Sequence, residues 1–108
     1  MVAQIETSVY VPEADNDDIP FDDGDWAALY ARLARIAGGA TRRGPHQGSW
    51  LGPDSNLYTE PIFEFEVAVA SWFDVPAFLE IVIWIQFHFR QLAIHFKVAG
   101  IHETFDGR

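Results

Sequence analysis

Hydrophobic and polar residues alternate in three stretches of the chain and recur at helical spacing in two. Over residues 3–11, Ile5, Thr7, Val9 and Val11 fall on one side and Gln4, Glu6, Ser8 and Tyr10 on the other, the period of a half-buried strand. Pro12 ends it, and an acidic, turn-rich segment follows. Trp26, Leu29, Tyr30, Leu33 and Ala37 then share one face of a first helix. Asp22 or Asp23 can cap its start, where acidic residues suit the positive end of the helix dipole, and Gly38 supplies a left-handed stop. Residues 40–51 read as an irregular second strand. Pro45 cannot donate to a ladder, which predicts that this strand lies at a sheet edge. Gly52 to Asn56 has the composition of a hairpin loop. In a third strand over 57–70, Phe63, Phe65, Val67 and Val69 alternate with Glu64, Glu66 and Ala68. Asp74 caps a second helix with Pro76 in its first turn, extending to about Gln91. Ile94, Phe96 and Val98 against His95 and Lys97 mark a fourth strand, and HETFDGR reads as a frayed tail.

The order β-α-β-β-α-β predicts an α+β fold of the ferredoxin-like, split β-α-β kind. Its four-stranded antiparallel sheet would have the order 4-1-3-2, with both helices on one face and the second strand at an edge, where Pro45 needs it. The 108 residues are expected to form a single domain, 1–108, large enough to bury a core without covalent staples.

Charge narrows the partners. The net charge is −9, and seven of the sixteen acidic residues lie between Glu13 and Asp25, so nucleic acid and anionic membrane surfaces are excluded as partners. The longest apolar run, Ile81 to Ile85, is far short of a membrane span, and MVAQIETSVY lacks the charged and apolar regions of a signal peptide. A soluble, cytoplasmic protein is expected. There is no cysteine, hence no disulfide framework and no thiolate chemistry.

The second helix carries apolar residues all round. Phe78, Val82, Ile85 and Phe89 can cover the sheet, while Ile83 and Phe87, flanked by Leu79 and Trp84, lie opposite. Scattered surface apolar residues are ordinary, but four large ones within three turns predict a protein–protein interface at Leu79, Ile83, Trp84 and Phe87.

The second sheet face gathers the residues with chemistry. Glu64, Glu66, His95 and Tyr10 are the catalytic candidates, since a carboxylate beside a histidine makes an acid–base pair. Cross-strand charge pairing explains the same residues, and no nucleophile, oxyanion donor or cofactor motif accompanies them. No pair among His46, His88, His95 and His102 has metal-ligand spacing, so neither a metal nor a cofactor is expected. His88 reads as a hydrogen-bonded packing residue. The acidic loop fails as a calcium-binding EF-hand, because Ile19 and Phe21 would fall at ligand positions. Gly38-Gly39 ends a helix instead of opening one, so it is no phosphate loop.

The segments VYVPEADND, F-x-x-x-x-W, GGATRRG, G-S-W, LYTEP and FRQLAIHFKVAG together resemble a group of short uncharacterised bacterial proteins. The resemblance implies a ferredoxin-like domain without an assigned activity and carries no functional residue with it. Such relatives are charged where Leu79, Ile83, Trp84 and Phe87 stand, which is explained by natural oligomerisation or by a helix rebuilt for a designed assembly. The resulting expectation is a non-catalytic oligomeric domain that meets itself or another protein subunit through the second helix. The alternative is a small dimeric α+β-barrel-type enzyme or small-ligand-binding protein using the polar sheet face.

Overall fold

A computed structural model describes residues 4–107. Strand β1 (Ile5–Pro12) leads through the acidic loop to helix α1 (Asp23–Ala37). The long strands β2 (Thr41–Leu51) and β3 (Leu57–Val69) form a hairpin, and a short 3-10 turn over Trp72–Asp74 opens helix α2 (Val75–His88). Strands β4 (Ile94–Val98) and β5 (Ile101–Phe105) complete the molecule.

The sheet is antiparallel throughout, in the order β2-β3-β1-β4-β5. This corrects the expected four strands in the order 4-1-3-2. The segment read as a frayed tail is a fifth strand at the edge, and β4 is internal. The cause is a two-residue turn at Ala99-Gly100, both with positive φ (51° and 82°), the geometry that matches the twist of an antiparallel hairpin. It reverses the chain so that Val98 faces Ile101 and His95 faces Thr104.

One face of the sheet is dry. Val9 and Val11 of β1, Phe65 and Val67 of β3, Leu29 and Leu33 of α1, and Phe78, Ile81, Val82 and Ile85 of α2 form one buried cluster. Burying each large side chain contributes about 1.5–3 kcal/mol, so both helices are held to this face chiefly by that cluster. Helix α1 is fastened at both ends. Asp22 and Asp25 form a reciprocal capping box, and Gly38 takes the left-handed conformation at its other end. Helix α2 stops at His88, short of Gln91, and Asp74 stands at its start without a side-chain capping bond. The acidic loop is ordered around the buried Asp15 carboxylate. It accepts the amides of Asp17 and Ile19 at 2.9 and 3.0 Å and Arg90 Nε at 3.1 Å, tying the loop to the chain just past α2.

The outer stripe of α2 divides. Leu79 and Trp84 pack against the core, with Trp84 between the Arg32 guanidinium (4.1 Å from the ring centre) and the stacked His88 ring. Ile83 and Phe87 are exposed, at 41% and 59%. The neighbouring helix α1 thus covers part of what a helix lying alone on a sheet would leave open. His88 is a hydrogen-bonded packing residue, as its position suggests, with Nε2 2.9 Å from Asp25 Oδ1. Among the described residues no helix is long and apolar enough to cross a membrane.

Candidate functional site

The other sheet face is concave. Tyr10, in the central strand, stands opposite Glu64 of β3 and His95 of β4. The β2–β3 hairpin runs on past the end of β1, whose Pro12 pairs with Ile62, and a register shift in β2 between Arg43 and His46 bends it. Its far end folds over the face: the Trp50 ring of edge strand β2 meets the His95 ring of β4 edge-on, with centres 5.0 Å apart. Two strands lie between them, and adjacent strands are about 4.8 Å apart, so a flat sheet could not make this contact.

The resulting chamber has a volume of about 220 Å³. Its walls come from Tyr10 and Pro12 of β1, Gly48, Ser49 and Trp50 of β2, Glu60 and Ile62 of β3, Ala93 and His95 at β4, and His102 of β5. Gly48 belongs here because of space: a Cβ would stand 2.9 Å from Ile62 Cδ1. Trp50 stacks on Tyr58 and donates its indole N–H to Glu60 Oε1 at 3.2 Å. Burial pushes the half-buried Glu60 carboxyl above its ordinary value, partly offset by that N–H, with the Asp18 charge adding to the rise. Burial pushes His95 the other way, favouring the neutral ring. His95 Nδ1 is 2.7 Å from Thr104 Oγ1, while its Nε2 is buried and has no hydrogen-bond partner.

The four candidates read from the sequence do not share one chamber. Tyr10 and His95 line the chamber; Glu64 and Glu66 do not. Glu64 accepts the Ser8 hydroxyl at 2.8 Å. Glu66 holds Arg43 through two bonds of 2.7 and 3.3 Å, and this guanidinium keeps its carboxyl below the usual range. The chamber's own carboxylate is Glu60, in the segment LYTEP, and its aromatic wall is Trp50, in G-S-W. Alternation places Glu60 on the same face as Glu64 and Glu66, but only the bend of the hairpin separates their surroundings. Among the described residues no cluster of three or more potential ligands is arranged to hold a metal ion.

The class of structure is therefore an α+β domain whose five-stranded sheet is packed by helices on one face and curled around a small chamber on the other. The same fold is found in solved structures of a phage SAM lyase. One, in complex with S-methyl-5'-thioadenosine, matches with a TM-score of 0.79 and 12% identity over 99% of this chain and 92% of that one. Another, in the apo state, matches with a TM-score of 0.70 and 14% identity over 96% and 90% of the two chains. No family profile matches the sequence, and no curated protein matches it at a significant level. The expected non-catalytic assembly domain built on α2 is corrected by these findings. The structural neighbours are described as an enzyme, one of them holding a small ligand, and the polar face carries a chamber beside its Arg43–Glu66 charge pair.

Proposed function

We propose that this chain is a small-ligand enzyme that takes S-adenosylmethionine into the chamber on its curled sheet face and cleaves it to S-methyl-5'-thioadenosine. The observation that carries this reading is the pairing of Glu60 with Trp50 on the chamber wall, in a fold shared with the SAM lyase structures. S-adenosylmethionine presents a sulfonium cation and a flat purine. A half-buried carboxylate attracts the first, and an aromatic face suits either. The net charge of −9 adds a long-range attraction for a cationic substrate.

The chemistry asks little of the protein. Breaking the bond between sulfur and the amino-acid arm leaves the electron pair on sulfur and cancels its charge. A lyase takes up no water: the arm's own carboxylate oxygen bonds the carbon that the sulfur leaves and closes a lactone, cancelling the carboxylate charge as well. A reaction that disperses charge is favoured by a poorly hydrated site, and one that uses no external nucleophile needs no serine or cysteine. Incubation with S-adenosylmethionine and chromatography of the products tests the reading. Time-dependent S-methyl-5'-thioadenosine, abolished by Trp50→Ala with Glu60→Ala, is expected. Absence of product together with absence of calorimetric binding of either compound overturns it.

A further inference from the structure

We propose that His95 reads the uncharged, hydrogen-bonding edge of the ligand through Nε2, and that Thr104 of β5 is its positioning residue. The inference rests on the ligand reading above and deepens it, by dividing the chamber into a wall for the cation and a wall for the purine.

His95 Nε2 is buried with no partner. Buried polar atoms are nearly always bonded, and one left without a partner on a residue that lines a chamber marks where a ligand atom completes the set. The other ring nitrogen is occupied by Thr104 Oγ1 at 2.7 Å, and Trp50 meets the ring edge-on. Tyr10 of β1, Glu60 of β3 and His102 of β5 share the chamber with it, and among the described residues no carboxylate hydrogen-bonds the ring. Burial keeps the imidazole neutral. A neutral ring carries one proton on two nitrogens, so the bond at Nδ1 decides whether Nε2 donates or accepts. The Thr104 hydroxyl can donate or accept at Nδ1, and whichever it does is the role left to Nε2; it lies on β5, the strand added beyond β4.

The test uses the neutral probe S-methyl-5'-thioadenosine with the full chain, read by calorimetry and by long-range proton–nitrogen NMR of the imidazole rings. Titration into the wild-type protein is expected to move the His95 Nε2 resonance more than Nδ1. Thr104→Val should weaken binding about 5–20-fold and mix the two tautomers, while Thr104→Ser restores binding to within about threefold. His95→Gln, whose amide reaches the Nε2 position, should retain more affinity than His95→Asn. Binding by the wild type with an unmoved Nε2 resonance and an unaffected Thr104→Val overturns this inference and leaves the ligand reading intact. No binding of the probe to the wild type overturns both. The wild-type titration decides the matter even where a variant fails to fold.

Discussion

Replacing Glu60 by Gln separates charge from shape at the centre of the proposed site, because the amide oxygen can still accept the Trp50 indole N–H. Two unit charges about 4 Å apart attract by about 4 kcal/mol at an effective dielectric constant of about 20. Half-exposure of the carboxylate and the dehydration of the cation reduce this to about 1–2 kcal/mol, or about 5–30-fold in affinity. Glu60→Gln should therefore weaken S-adenosylmethionine by that factor and change neutral S-methyl-5'-thioadenosine by less than about twofold. The sulfonium charge disappears as the bond breaks, so the carboxylate holds the bound substrate at least as strongly as the transition state. The loss then falls on KM, with kcat unchanged or raised. Stability moves in the opposite direction. With its folded pKa raised, Glu60 makes the native state bind more protons than the unfolded chain between the ordinary glutamate value and the raised one. Its contribution is fully present below the ordinary value and is lost as pH rises through the raised one. The variant should melt higher than the wild type near neutrality, and the gap should close on acidification. Calorimetric titration of both ligands and paired melting curves check this. Equal weakening of the two ligands, or a lower melting temperature near neutrality, refutes the reasoning.

Removing the cap of α1 with Asp22→Ala should cost about 1 kcal/mol and lower Tm by about 4–8 °C, read by circular dichroism. Ala99→Gly relieves a side chain held at positive φ and should raise stability by about 0.5–1 kcal/mol in urea titrations. Asp15, held below the ordinary carboxylate range by the Ile19 amide, with the Asp17 amide and Arg90 adding, stabilises the fold above its unfolded pKa and loses that contribution as pH falls through its folded value. Asp15→Asn should lower the urea midpoint at neutral pH, and the deficit should vanish in acid. Truncating Phe65 to Ala at the centre of the core should cost about 3–5 kcal/mol, measured in the same way.

Period and punctuation made much of the chain legible. The alternation around Phe63 to Val69, the capping pair at Asp22 and the glycine stop at Gly38 are local signals, and each element forms where its own sequence directs it. Strand β5 was hidden for a physical reason. Its sequence IHETF puts Glu103 between Ile101 and Phe105 on one side, so no alternation shows, and it follows a turn whose left-handed first position is filled by alanine in place of asparagine or glycine. The site was half legible. Periodicity puts Tyr10 and His95 on one face, yet it treats every polar residue of that face alike. Separating Glu60 from Glu66 takes the bulge after Arg43, which sends one carboxylate beneath Trp50 and leaves the other with a guanidinium. The second helix misled because its wheel was read against the sheet alone, whereas Arg32 of α1 lies across Trp84.

Gln86 of α2 is buried, and its side chain bonds to two points of the backbone. Its amide donates to the Leu92 carbonyl just before β4, and its oxygen accepts the Gly107 amide just after β5, each at 2.9 Å. One side chain thus closes the open end of the β4–β5 hairpin, opposite its Ala99-Gly100 turn, while β4 keeps its own ladder to β1. Thr104 rides on the edge strand and His95 on the internal one, so opening of the clasp parts Thr104 from His95 while the rest of the chamber wall stays in the sheet. Amide hydrogens of β5 should accordingly exchange faster than those of β4 that bond to β1, and Gln86→Ala should widen that gap.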